Sequence, residues 1–565
     1  MKEFEVVITE YKWTVLINTS LGVIMSSMNM NILMISLPAI FRGLGINPFA
    51  PGEFAYLLWV LMGYSIILAT ILVTLGRISD MHGRERAYTL GFIIFSIASI
   101  ALSFIPSNSG NFGALILIIL RMVQAIGGGL LMVNSTALIT DAFPLTERGK
   151  ALGLNQVMFI VGIFLGLIAG GLVVDIGWHM VFILSVPFGV AGSLWSVFKL
   201  RKTKGTGKAS LDIPGNVTLA GGLLAISLGL TYALMPYGNS QMGWGNPWVI
   251  TAFIIGVALF IVFVEIEKKA KAPLFQLSLF KIRPFTYGLL ALFFNALARG
   301  AVMFLITIWL QGIYLPLHGY SWEETPFWAG IYMIPMMLGM VVMAPFSGIL
   351  TDKYGARTFA TLGMIIIAIT FYGMTLLPYN FDRTWFEILL FINGLGNGLF
   401  SAPNTTAIMN ALSSKDRAAG NGMRQTFNNI GSSISMAIFF TILLTFLSKY
   451  LPTQISTTLS SYGLPQEVIK FISSIPVSGL LFGAFLGVDP ASAIPSSLIS
   501  LLPSNVVEIL NSRAFLPTVL GPSFKTALTN SLYISIALVL IGAVFSYMRG
   551  GRYVIDEEKG ATAKT

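Results

Sequence analysis

No cysteine occurs among the 565 residues, so disulfides and thiolate metal sites are excluded. Histidine is nearly as scarce. His82, His179 and His318 are the only three, all in expected loops and without metal-ligand spacing, so no metal is expected. Charge is sparse too: Asp, Glu, Lys and Arg make up 10% of the chain, against about 25% in an average soluble domain. A water-soluble fold of this length needs more polar surface, and a disordered chain more still, so both are excluded. The chain also lacks a Gly-x-x-x-x-Gly-Lys-Ser/Thr phosphate loop. Gly207-Lys208 is followed by Ala209, and no soluble segment is long enough for a nucleotide-binding domain, which argues against an ATP-driven pump. The apolar runs hold no His or acidic cluster for a membrane-embedded enzyme, so the protein is not expected to be one.

Apolar sequence is abundant. Hydrophobic residues make up 55%, with 41 Phe and 57 Gly. Mean hydropathy is +0.80. The runs are long and unbroken, unlike the roughly 10-residue alternating strands of a membrane barrel. The expected class is an all-α polytopic membrane protein. Fourteen runs approach the roughly 20 residues that a span needs. They cover 13–40, 54–75, 88–104, 113–140, 151–174, 180–200, 216–235, 247–264, 284–315, 327–350, 359–377, 386–409, 420–447 and 527–548. Alternate short loops carry nearly all the Lys and Arg, from Arg77, Arg84 and Arg86 to Lys415 and Arg417, whereas the opposite short loops hold only Arg42 and Arg383. That bias places both termini in the cytoplasm of a multi-pass plasma-membrane protein. The net charge of +10 then serves orientation and anionic-lipid contact, and no nucleic-acid partner is expected. Residues 448–525 do not fit the pattern. They read as a long extracellular loop with a re-entrant or interfacial helix pair, because the apolar stretch 477–486 is too short to span.

One loop recurs. Gly76, Asp80, Gly83 and Arg84 after the second run return as Gly348, Asp352, Gly355 and Arg357 after the tenth, with the Gly and Asp positions offset by 272. Arg148 and Arg417 echo each other at an offset of 269. Two matching elements at nearly one offset indicate a duplicated six-span unit, the way many secondary transporters are built. The expected domains are 1–200, a six-helix bundle; 201–283, a linker with two extra spans; 284–549, a second six-helix bundle; and 550–565, a cytoplasmic tail.

On these residues the chain resembles the major facilitator superfamily, in its fourteen-span drug:proton antiporter (multidrug efflux) branch. The resemblance implies two six-helix bundles plus two inserted helices. It implies that Gly76, Asp80, Gly83, Arg84, Arg148, Gly348, Asp352, Gly355 and Arg357 gate the cytoplasmic side. Arg121, followed by Gln124, matches a family Arg implicated in proton coupling. Gly162, Gly166, Gly170 and Gly171 resemble the antiporter motif, although Leu167 stands where the family usually has Pro. Spacing of four sets the first three on one helix face.

The first run departs from the family. An acid usually precedes the Leu-Pro that closes its motif by about nine positions, and here Leu37-Pro38 is preceded by Asn29. Asn29 and Asn31 cannot titrate. Asp141, at the cytoplasmic end of the fourth run, matches a family position and is the substitute candidate. Arg299 and Arg424 lie inside later runs, so the intramembrane ionisable groups are mostly basic. Such groups mark functional sites by default. A positive cavity would suit an anionic or zwitterionic substrate. Asn134, Asn295, Gln311 and Asn404 are further candidate lining residues.

The expected function is secondary active efflux of amphipathic drugs or metabolites by alternating access, with H⁺ as coupling ion and no cofactor. The expected partners are a small-molecule substrate and the lipid bilayer, and the expected state is a monomer. The alternative is an uncoupled facilitator or an organic-anion or lipid exchanger of the same fold, because of Asn29.

Overall fold

The structure is a computed structural model. It describes residues 2–565 except 51, 175, 203–211, 236, 239–241, 272, 414–415, 462, 489–493, 496–498, 500–501, 503, 552, 556–561 and 565.

The first unit comprises α1 (Lys2–Leu44), α2 (Glu53–His82), α3 (Arg84–Ser103), α4 (Gly110–Ala142) and α5 (Leu145–Val174), followed by a broken sixth span, α6 (Met180–Ile183) and α7 (Val186–Lys199). Two inserted helices follow, α8 (Ile213–Ala233) and α9 (Pro247–Lys269). The second unit begins with α10 (Arg283–Trp309), which runs through a π-helical turn at Leu310–Tyr314 into α11 (Leu315–Leu317). It continues with α12 (Thr325–Tyr354), α13 (Ala356–Leu376), α14 (Arg383–Asn410) and α15 (Arg417–Ser461). The short α16 (Gln466–Ser474), α17 (Val477–Leu486) and α18 (Ser504–Leu510) precede α19 (Phe515–Met548). Thirteen of these segments are long and apolar enough to cross a membrane. A fourteenth is counted only if the bent pair α16 and α17 is one span. Helix α14, of 28 residues, is less apolar than these, carrying Asn393, Asn397, Asn404 and Asn410. Among the described residues the only strands are Tyr553–Ile555 and Thr562–Lys564, paired antiparallel in the tail.

The two units repeat one packing scheme. In the first, α1 packs on α5, α2 on α4, and α3 on α4 and α7. In the second, α10 packs on α15, α12 on α14, and α13 on α14 and α19. Close crossings recur at glycine. A Cβ on Gly91 would lie 3.0 Å from the Gly127 carbonyl oxygen, and one on Gly363 would lie 2.6 Å from that of Gly396. Small residues let apolar helices approach where no hydrophobic drive exists between them. Across the units, α2 packs on α15 and α5 on α12, while α8 and α9 pack on each other and α8 rests on α2 and α15.

The turn from α2 to α3 is made by Gly83 at φ 106°, and the turn from α12 to α13 by Gly355 at φ 84°. Both are conformations that only glycine adopts freely, which is why the loop motif keeps a glycine there in each half.

Residues 448–525 are not an extended loop. Helix α15 continues to Ser461, and the last crossing begins at Phe515 rather than near 527. Between them α16 and α17 form a pair bent by 90°. Helix α17 is buried along its whole length. The sequence offered too few charges in this stretch to locate helix ends by hydropathy.

Candidate functional site

Arg121 sits inside α4 and is 2% exposed. A guanidinium at that depth is costly unless it finds partners. It donates through Nη1 to Oδ1 of Asn29 on α1 and to Oε1 of Gln124. Its Cζ also lies 4.6 Å from the centre of the Tyr64 ring on α2. Gln124 passes the chain on, donating to Ser99 Oγ at 2.7 Å, which is 3.1 Å from Ser185 Oγ. Arg121 Nε and Asn29 Nδ2 are buried without a hydrogen-bond partner among the described residues.

The second half holds the converse. Arg299 on α10 donates to Oδ1 of Asn397 on α14 at 2.9 Å. Asn397 donates to the backbone oxygen and to Oδ1 of Asn393, both at 2.9 Å, and Asn393 donates to Thr370 Oγ1 at 2.8 Å. Asn29 and Arg299 are 270 positions apart, near the 272 of the repeated loop. Helix α10 thus carries the guanidinium where α1 carries the amide, and α14 carries the amide where α4 carries the guanidinium. Among the described residues neither arginine makes an ion pair. Arg424 donates to Asn421 Oδ1, at 3.1 Å on its own helix.

The other candidates fall elsewhere. Asp141 is not in the interior. It is an exposed residue at the end of α4, where it accepts from Arg84 Nη1 at 2.7 Å. The reason is geometric: α4 runs to Ala142, so Asp141 emerges from the bundle with the basic loops. Asn134 ties α4 to α2 through Ser79 Oγ at 2.8 Å. Asn404 donates to the Gly288 carbonyl oxygen at 3.2 Å and accepts from Arg549 Nη2, so it braces α14, α10 and the end of α19 rather than lining a cavity. Burial lowers the Arg549 pKa to about 10, which leaves the group charged at neutral pH. Asn31 donates to the Ser27 carbonyl oxygen of its own helix at 2.8 Å. Asn295 is buried with an unpartnered Oδ1.

At the face opposite the basic loops the two units are clamped together. Gln311, on the π-helical turn, donates to the Ile35 carbonyl oxygen of α1 at 3.1 Å. A Cβ on Gly171 would lie 2.2 Å from Phe327 Cα, and one on Gly330 would lie 2.8 Å from the Leu167 oxygen. Helix α17 fills this end. Arg42 of α1 donates to the Leu486 carbonyl oxygen at 3.0 Å, at the electronegative C-terminus of α17. Phe482 meets Phe41 edge-on at 5.6 Å, and Gly479 and Gly483 lie against Pro48 and Phe49. Neither Arg42 nor α17 stood out as functional in the sequence. The available signal was that Arg42 is one of only two arginines in the short loops of that face.

At the basic face, Asp80 pairs with Arg84 of its own loop at 2.8 Å, and Arg84 bridges on to Asp141. The gating candidates Arg148 and, in the second half, Asp352 have side chains outside the described residues. Arg357 lies over the Tyr547 ring at 3.7 Å. Gly76 is tight, with a Cβ position 3.0 Å from Val133, whereas Gly348 has nothing within 4 Å. On α5 the glycine face is shared between two neighbours. Gly162, Gly166 and Gly170 lie on α1, a Cβ on Gly166 falling 2.4 Å from the Met28 oxygen, while Gly171 touches α12.

Comparison with known proteins follows this geometry. The family described as Major Facilitator Superfamily matches residues 19–264 and 213–436. The chain is 31% identical to the riboflavin transporter RibZ of Clostridioides difficile (strain 630), over 76% of this chain and 87% of that protein. It is 26% identical to the multidrug transporter protein MdtP of Bacillus subtilis (strain 168), over 88% and 86%. It is also 26% identical to the tetracenomycin C resistance and export protein of Streptomyces glaucescens, over 86% and 87%. Among solved structures, an inward-facing bacterial homologue of the human lysosomal transporter Spinster aligns over 95% of this chain and 97% of its own. Its TM-score is 0.58 at 14% identity, a likeness of fold alone.

Proposed function

Because the chain belongs to the Major Facilitator Superfamily, in the fourteen-helix branch that holds multidrug transporters, we propose that it exports amphipathic small molecules by alternating access. It does so as a monomer in the plasma membrane, with the basic face and both termini in the cytoplasm. The observation that carries this reading is the closure of the face opposite the basic loops. Cross-unit clamps hold that face, at Gln311–Ile35, Arg42–Leu486 and Gly171–Phe327. A seal on the far side is what an exporter needs before its switch. Multidrug and export proteins among the relatives support the direction, and the riboflavin-transporting relative supports planar aromatic metabolites within the substrate range.

Proton influx is the proposed driving reaction. One observation favours a second reading, uncoupled facilitation or exchange: Arg121 is met by the amide of Asn29, which cannot carry a proton. Efflux from loaded vesicles, with and without an imposed pH gradient, separates the two. Acceleration of wild-type efflux by the gradient supports coupling. A wild type indifferent to the gradient beside a responsive Asn29→Asp variant supports the second reading.

A further inference from the structure

We infer that the interior of this transporter selects for organic anions, and that Arg121 with Asn29 is where the anionic group is received. This deepens the export reading above and rests on it. The first observation is an excess of buried donors. Arg121 spends Nη1 on two neutral side-chain oxygens, while its Nε and the neighbouring Asn29 Nδ2 have no acceptor among the described residues. Both residues are 2% exposed or less. Buried donors without acceptors are costly, and two of them on touching residues call for one acceptor between them.

The second observation is charge. Arg299 in the other half also faces only an amide oxygen, that of Asn397. Among the described residues no carboxylate pairs with Arg121 or Arg299. Fixed positive charges in a low-dielectric interior repel a cation and attract an anion over several ångströms. At the position where Asn29 stands, an acid would have neutralised Arg121 and weakened this preference.

The test uses the full chain in proteoliposomes and three probes on one fluorophore: dansylglycine (anion), dansylglycinamide (neutral) and dansylcadaverine (cation). The expected result is saturable transport of dansylglycine exceeding that of dansylcadaverine by about tenfold or more. Asn29→Asp, close in size and with its carboxylate set against Arg121, lowers the ratio of dansylglycine to dansylcadaverine transport by about tenfold. Where that variant fails to fold, competition on the wild type reads the same preference: 1-naphthoate slows dansylglycine transport and 1-naphthylmethylamine does not. Wild-type preference for the cation, or that ratio unchanged in a folded Asn29→Asp, overturns the inference while leaving export intact. Saturable transport of none of the three probes removes both.

Discussion

Arg121 reaches from α4 to the amide oxygen of Asn29 on α1, and among the described residues no carboxylate pairs with Arg121. The second half repeats the bond with donor and acceptor exchanged between the corresponding helices, Arg299 on α10 reaching Asn397 on α14. A duplicated fold has thus kept one cross-helix bond in each half while moving the charge from one helix to its neighbour.

The bond gives a stability prediction. Asn29→Ala removes one of the two side-chain acceptors of Arg121 Nη1. A buried charged donor that loses an acceptor costs about 1–3 kcal/mol. Thermal unfolding in detergent should therefore move down for Asn29→Ala, and Asn29→Asp should hold or exceed the wild-type midpoint. An Ala variant as stable as wild type would mean that Gln124 alone satisfies the guanidinium.

The glycines separate by what surrounds them. A Cβ on Gly166 meets the Met28 carbonyl oxygen at 2.4 Å, and backbone cannot yield as a side chain can. Gly166→Ala should cost about 1–3 kcal/mol by forcing α1 and α5 apart. Gly348→Ala meets nothing within 4 Å and should stay within about 0.5 kcal/mol of wild type. Gly355→Ala, in the same loop, is strained by its φ of 84° whatever the space. The ranking is read from thermal midpoints of the three purified variants.

The helices were legible because hydrocarbon thickness imposes a length that any crossing must meet, and thirteen of the fourteen expected runs fall on helices long and apolar enough to cross. The duplicated loop was legible because Gly83 and Gly355 occupy backbone angles that few other residues adopt. The stretch 448–525 was not. Helix α15 runs on past the apolar run to Ser461, and α17 is buried by protein rather than lipid, so no membrane length rule applies to either. Partner choice was also hidden. Helices α4 and α14 are apolar on several sides, so hydropathy does not fix their rotation, and only the packed structure turns Asn397 to Arg299 and sends Asn404 to Arg549.

Arg42 offers a reading of the far-face clamp. Its bond to the Leu486 carbonyl oxygen joins α1 to α17 across the two units. A charge-assisted bond contributes about 1.5–3 kcal/mol, so Arg42→Gln should raise the open fraction at that face by about tenfold or more. The chain has no cysteine, so Ala484→Cys, at a position 1% exposed on α17, introduces a single thiol. Its labelling by a membrane-impermeant maleimide should be about tenfold faster with Arg42→Gln than without. Equal rates would place the clamp elsewhere, at Gln311 or Gly171.

Arg84 bridges Asp80 at 2.8 Å and Asp141 at 2.7 Å at the basic face. Its side chain is 28% exposed and the two carboxylates 40% and 47%. Solvent screening at that exposure limits each pair to about 0.2–1 kcal/mol of stability. A double-mutant cycle of Arg84→Gln and Asp141→Asn should return a coupling in that range from thermal unfolding. The effect on transport should be larger, because a bridge from the motif loop to α4 biases the switch between faces, and a bias multiplies the rate without needing to hold the fold. Efflux by Arg84→Gln should fall about tenfold while its unfolding midpoint barely moves. Loss of stability and of transport in equal measure would make Arg84 a staple of the first unit and nothing more.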